Sequence, residues 1–410
     1  MNLYYLMTAL FVGAAVVAAA DASLTSLDLL PWFNGLRWVR VHLVTLGAMT
    51  EAIFGTLPQL VAIRYNRPRP ALRWDIWLSL NVGILMLLIG IPIINMALIY
   101  TGGTLVFIAA SLLIAQLGRM RPASSVKNAT TEHGGRPFYI SGLSFFLLGI
   151  IIGTGLWFDW ATPLRISVPL EAHIHANSWG LMSLVFAGLL VDTYPVWAGR
   201  PLAWPSSTRP IFWLMTFGAL GLVLGPWFNS RWFTVPGLVM HQTATFWLLV
   251  NVVKPLWGDR RMLSQPGTWH VITSYLWISA PVLVAPLILL GIRGVPGPTI
   301  EANAPQALIY GWVLQFGFAL LPFLFRRAFL PNEPARLGGN WFSLAAVNLG
   351  GVFLWASIFS EPLGPALHAI AYALWAAAIV PVAIELWRIA RQGLARLDAI
   401  SERAAEAPAD

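Results

Sequence analysis

The chain has 410 residues, 58% of them hydrophobic and only 10% charged, where a soluble domain carries about 25% charged residues, so a soluble globular protein is excluded. Cysteine is absent, which removes disulfides, thiolate metal sites, iron–sulfur clusters and cysteine nucleophiles and leaves His, Met, Asp, Glu and Tyr as metal donors. The formal charge of +8 follows from membrane topology, which gathers Lys and Arg on one side, and needs no anionic partner.

Apolar runs of about 17–25 residues, long enough to cross a bilayer, fall near 3–20, 38–62, 74–98, 102–118, 138–158, 170–194, 210–228, 232–253, 270–292, 304–325, 340–360 and 365–387. The expected fold is an all-α polytopic membrane protein with twelve transmembrane helices in one domain, residues 1–392, and a polar, frayed amphipathic tail over 393–410. The first run has no basic n-region and no clear small-residue cleavage site, so it reads as a span and not as a signal peptide. Lys and Arg divide between alternate loops as twenty against five, the five being Arg37, Arg40, Arg165, Arg231 and Arg293. That asymmetry places both termini in the cytoplasm.

Spans 2, 6 and 10 share a pattern. His42, Gly47, Met49, Gly55 and Leu57 recur as His175, Gly180, Met182, Gly188 and Leu190 after a shift of 133 residues. A further 131 residues bring Gly311, Phe318, Leu321 and Pro322 onto Gly47, Phe54, Leu57 and Pro58. The identities are few and Gly and Leu are common in membrane helices; the two nearly equal steps, each covering four spans, carry the reading. They point to three four-helix units with spans 2, 6 and 10 in equivalent places about a pseudo-threefold axis. Two six-helix halves, the transporter pattern, fit less well.

With that orientation His42, His173, His175 and His368 lie near the outer surface, and His241 a third to half of the way in. Neutral imidazole is the usual ligand of haem iron, copper and zinc, and ionisable groups inside a membrane are functional candidates by default. The plain alternative is a histidine that bonds water or a carbonyl near the interface. In Glu171-Ala-His173-Ile-His175-Ala-Asn177 the two imidazoles point about 200° apart on a helix, one to each of two neighbouring pockets. A zinc pair would use i, i+4 on one face instead.

The run HIHANSWGLMSLVFAGLLVDTYP resembles the His-x-His helix of the heme-copper oxidase superfamily, in particular its cbb3-type oxidase and nitric oxide reductase branch, where the two histidines serve the high-spin and low-spin haems. The run RVHLVTLGAMTEAIFGTLP, with Arg40 just before His42, is similar to that superfamily's second helix, which carries a low-spin haem ligand. The resemblance covers about 40 residues in motif and the whole chain in layout. It implies heme b, ligated by His42 with His173 or His175, in a bacterial or archaeal cytoplasmic membrane. The departures are specific: the seventh span has no histidine, and the tenth offers Gln306 and Tyr310 where the family's oxidases have His-x-His. The three-histidine copper site is therefore missing unless His241 and His368 rebuild it. The NnrS-like branch of the superfamily, linked to nitric oxide stress, shows similar departures.

Glu51 lies nine residues below His42, near mid-membrane, and in a regular helix it faces away from His42; it and Tyr310 are the candidate catalytic groups, Glu51 as part of a proton path or polar network, against a neutral structural carboxyl hydrogen-bonded to partners such as Gln315, and Tyr310 as a redox tyrosine or propionate partner, against the more ordinary polar cap. Arg37 and Arg40 are placed to pair with haem propionates or to snorkel. His270 reads as an interface anchor and His133 as a solvated loop residue. There is no P-loop, no G-x-G-x-x-G, no C-x-x-C-H and no nucleic-acid signature. Three functions remain open: a haem-dependent membrane oxidoreductase acting on O2, NO or a lipophilic substrate; a non-catalytic haem or copper sensor or carrier; and a proton-coupled twelve-helix transporter. Besides the lipid bilayer, an oxidoreductase would need electrons from quinol, a donor subunit, or a soluble cytochrome or cupredoxin.

Overall fold

A computed structural model describes residues 2–26, 37–123, 134–334, 336–360 and 362–406. All regular structure among them is helical, the arrangement that lets a lipid-embedded backbone satisfy its own N–H and C=O groups. Among the described residues eleven helices are long and apolar enough to span a membrane: α1 (Leu3–Ser26), α2 (Trp38–Arg64), α4 (Met96–Arg119), α5 (Arg136–Gly155), α6 (Pro169–Trp197), α7 (Pro205–Phe228), α8 (Arg231–Leu256), α9 (Pro266–Leu289), α10 (Gly297–Phe329), α11 (Trp341–Phe359) and α12, apolar over Gly364–Leu397. The twelfth expected span is the shorter helix α3 (Trp74–Gly90) of 17 residues, about 26 Å long at ~1.5 Å per residue.

The boundary between α3 and α4 falls earlier than the sequence pattern places it. Pro92 follows the end of α3, Ile94 takes a positive φ of 54°, and the Asn95 side chain caps α4 by accepting from the Leu98 N–H at 3.1 Å. The tail expected to fray continues α12 as one helix of 43 residues to Glu406, in keeping with its Ala, Arg, Leu and Glu content.

The chain divides into two compact units. One comprises Met1–Ala52, Leu263–Ile278 and Arg293–Asp410, and the other Ile53–Met262 with Ser279–Ile292. Within them α2, α6 and α10 are the most enclosed helices, with 72%, 83% and 89% of their most apolar windows buried, against 28–50% for the other eight long helices.

Those three helices share a backbone feature as well. Each changes from α to π winding for about two turns, over Leu43–Met49, Ala176–Met182 and Ala307–Leu314, so the segments begin 133 and 131 residues apart, the steps of the sequence pattern. The residue before each segment is His42, His175 and Gln306. Five residues after that position stands a glycine covered by an aromatic ring of the preceding helix. A Cβ on Gly47 would lie 2.6 Å from Phe11, on Gly180 2.4 Å from Phe145, and on Gly311 2.5 Å from Trp277. Only glycine admits so close an approach. The two helices that follow also cross closely in each copy: Gly83 of α3 meets Val106 and Gly102 of α4, Gly218 of α7 meets His241 of α8, and Gly350 of α11 meets Trp375 of α12.

Candidate functional site

His173 and His175 lie in the first turns of α6 and face opposite neighbours, as their two-residue spacing requires. His173 Nδ1 is 2.8 Å from the Gly149 carbonyl of α5, and its ring fills the space beside Gly153. His175 Nδ1 is 2.6 Å from the Leu222 carbonyl of α7. His42, in the first turn of α2, places Nδ1 2.7 Å from the Trp38 carbonyl and stacks on the Trp38 ring at 4.0 Å.

These contacts fix tautomers. A carbonyl can only accept, so Nδ1 is the protonated nitrogen in all three rings and the lone pair lies on Nε2. The same holds for His368: its Nδ1 is 3.0 Å from Ser26 Oγ, and the single Ser26 hydroxyl proton is already given to the Ala22 carbonyl at 2.7 Å. His241 Nδ1 is 3.4 Å from a Thr245 hydroxyl that donates to the His241 carbonyl at 2.9 Å, too long a contact to fix which ring nitrogen carries the proton. His42, His173 and His175 thus each anchor Nδ1–H on a backbone carbonyl, the way a metal-bound imidazole is held.

His270 is the contrast. Its Nε2 is 2.9 Å from Ser343 Oγ, a hydroxyl that donates to the Asn340 carbonyl, so Nε2 carries the proton and is taken. The sequence places His270 at the interface; it is instead fully buried, packed on Gly339 and edge-on to Phe318, because its hydroxyl partner sits in the capping box that opens α11.

His241 is 1% exposed and its Nε2 has no hydrogen-bond partner among the described residues. Trp179, one turn beyond His175 on α6, packs edge-on to the His241 ring at 5.1 Å and lies 6.5 Å from the His175 ring. His175 Nε2 lies 3.8 Å from a carboxyl oxygen of the half-exposed Glu171. No three His, Asp or Glu side chains among the described residues form a group that could hold a metal ion.

Arg40 is paired within its own unit, its Nη2 lying 3.2 Å from Asp21 Oδ2. Asp21 is 1% exposed and lies just past the apolar run that marks the first span in the sequence, which is why sequence reasoning passed over it. Tyr310 is buried, its hydroxyl without a partner among the described residues, and its ring is stacked on Trp375 at 4.5 Å and set edge-on to Tyr372 at 5.3 Å. Gln306 accepts a hydrogen bond from the Tyr372 hydroxyl and donates to Asn303 at 3.3 Å. Another unanticipated acid, Asp192 of α6, accepts from the Gly135 N–H at 2.9 Å and the Tyr139 hydroxyl at 2.8 Å, with Arg64 at 3.8 Å. Its partners make it a tie between helix ends.

Glu51 is fully buried and neither carboxyl oxygen has a partner among the described residues. Its direction differs from the sequence expectation. The π segment at Leu43–Met49 inserts about one residue into the α winding, so Glu51 stands as if about eight residues from His42, roughly 80° around the helix and not on the far side. His133 and the Arg37 side chain lie outside the described residues. Compared with known proteins, the chain matches no family model, and no curated protein is significantly similar to it.

Proposed function

We propose that this chain is a haem-binding integral membrane oxidoreductase resembling heme-copper oxidase subunit I, its twelve helices forming three four-helix arcs with both termini cytoplasmic. One observation supports the reading: His42, His173 and His175 each anchor Nδ1–H on a backbone carbonyl, while His270, outside the ligand set, uses Nε2 on Ser343 instead. Two of the three, His42 and His175, directly precede π-helical segments, a distortion that clusters at functional sites.

In this reading His42 and His175 are haem ligands, and His173 is the third candidate. A bound b-type haem supplies one-electron exchange. The protein's own part is orientation: the Trp38 and Leu222 carbonyls hold the imidazole planes and raise their basicity, and the Arg40 N–H groups that Asp21 leaves over suit a propionate. Copper has no part in the proposal. The substrate class is a small diatomic, O2 or NO, or a lipophilic molecule, with electrons from quinol, a donor subunit, or a soluble cytochrome or cupredoxin.

Reduced-minus-oxidised spectra of the detergent-purified protein, with and without CO, test this. Sharp α and Soret bands in the wild type that are lost in His42→Ala or His175→Ala support it, and a CO-sensitive component marks a reactive site. Absence of haem after expression with ample haem supply overturns it. The buried, unpartnered carboxyl of Glu51 favours proton-coupled transport as the second reading, which a haem-free, correctly folded protein would leave standing.

A further inference from the structure

The interior of α2 holds one group that haem ligation leaves unexplained. Glu51 is enclosed on all sides, and both of its carboxyl oxygens lack partners among the described residues. The elements packed against the π segment just before it are α1, the first turn of α2 and the π segment of α10. Their charged and titratable groups have other engagements: Asp21 pairs with Arg40, Tyr5 packs on Phe325 and Phe329, His42 bonds Trp38, and Tyr310 stacks on Trp375. Tyr4 of α1 makes no hydrogen bond to Glu51, whose oxygens have none.

An ionised carboxylate so placed would forgo hydration with nothing to replace it, a penalty of several kcal/mol. A neutral acid avoids that penalty, at the smaller cost of an unmade hydrogen bond. The π segment adds the second element of the argument. It sets Glu51 about 12 Å along the helix from His42 and about 80° around it, and so brings a buried carboxyl with both oxygens unpartnered among the described residues off the far side of α2 from His42.

We propose that Glu51 is a proton-binding site inside the membrane, a carboxyl that holds its proton in the resting protein and exchanges it with water. In the exchange the acid O–H bond breaks, the proton passes to a water molecule and the carboxylate remains; the reverse step restores the acid. The ligand is the proton itself. The inference goes beyond haem ligation and does not depend on it, since an oxidoreductase and a proton-coupled transporter both need such a group.

Infrared spectra of the purified protein in H2O and D2O, for the wild type, Glu51→Gln and Glu51→Asp, decide the matter. The expected result is a protonated-acid carbonyl band that is lost in Glu51→Gln, kept at a shifted frequency in Glu51→Asp, and moved by D2O in the wild type. An acid region unchanged by Glu51→Gln means that Glu51 is ionised and overturns the proposal. A band that D2O never moves means a locked structural acid and overturns it too. Glu51→Gln is expected to fold, because Gln315 occupies the same register in α10, fully buried; should it aggregate, the frequency shift in Glu51→Asp carries the test. Haem bands recorded on the same samples separate failure of this inference from failure of the haem reading.

Discussion

In α6 the residue that precedes the π segment is His175, and in α10 it is Gln306. The two helices otherwise repeat one another: the same change of winding, a glycine five residues on, and an aromatic ring of the preceding helix laid over that glycine. What surrounds the first residue differs. His175 bonds a backbone carbonyl of α7 through Nδ1 and has Nε2 3.8 Å from Glu171, whereas Gln306 is held by side chains, accepting from Tyr372 and donating to Asn303. Backbone geometry in these helices is therefore held by packing, and the chemistry at its start can change without disturbing it. The largest expected effect follows. His175→Ala should remove a haem band completely, while Gln306→Ala should leave the visible spectrum unchanged; equal losses in both would show that the bands report general unfolding and would dissolve the contrast.

The shared packing predicts a second, smaller effect that should be alike in both helices. Gly180→Ala and Gly311→Ala each force a methyl to within 2.4 and 2.5 Å of a buried aromatic side chain, and overpacking of this kind costs about 1–3 kcal/mol. Gly47→Ala, at 2.6 Å from Phe11, should fall in the same range. Gly13→Ala, with nothing within 4 Å of the added carbon, should be neutral or stabilising by up to about 1 kcal/mol. Thermal or denaturant unfolding in detergent measures all four. A tolerated Gly180→Ala beside a damaging Gly311→Ala would mean that the two copies are not held in the same way.

A third effect belongs to α10 alone. Tyr372→Phe removes the hydroxyl that Gln306 accepts from and leaves a buried acceptor unpaired, a loss of about 1–3 kcal/mol. Adding Gln306→Leu should recover part of it, because replacing both partners by apolar groups is nearly neutral. Spectra should not respond, and a spectral change on Tyr372→Phe would move the haem environment into the third copy.

Much of this comparison could be read from the sequence, and the limits have physical causes. The apolar runs are visible because bilayer thickness sets the length of a span, and the 133- and 131-residue steps because glycines and other residues recur at those intervals. The opposite facing of His173 and His175 follows from 3.6 residues per turn alone. The π segments could not be read, since residues such as Leu43 to Met49 have no composition that distinguishes π from α winding; for that reason the sequence turns Glu51 to the wrong side of α2. Asp21 was missed because it follows an apolar run whose end is judged by hydropathy, while its partner Arg40 comes from the next helix. His270 beside Trp269 looks like an interface pair in one dimension, and only the fold supplies Ser343, 73 residues away.

The smallest effect sharpens the comparison at the outer end of α6, where Glu171 lies 3.8 Å from His175 Nε2. Two states of that nitrogen predict different outcomes. If Nε2 is bound to iron it carries no proton and cannot pair with the carboxylate, so Glu171→Gln should change neither the spectrum nor the stability. If Nε2 is instead protonated, the pair is a half-exposed ion pair worth about 0–1 kcal/mol and weakened by salt, and Glu171→Gln should abolish a salt-dependent increment of stability. We expect no salt-dependent increment in the haem-loaded protein and a small one in protein expressed without haem. A salt-sensitive loss in the loaded protein would remove His175 from the ligand set and leave His173, anchored on the Gly149 carbonyl of α5, to take its place.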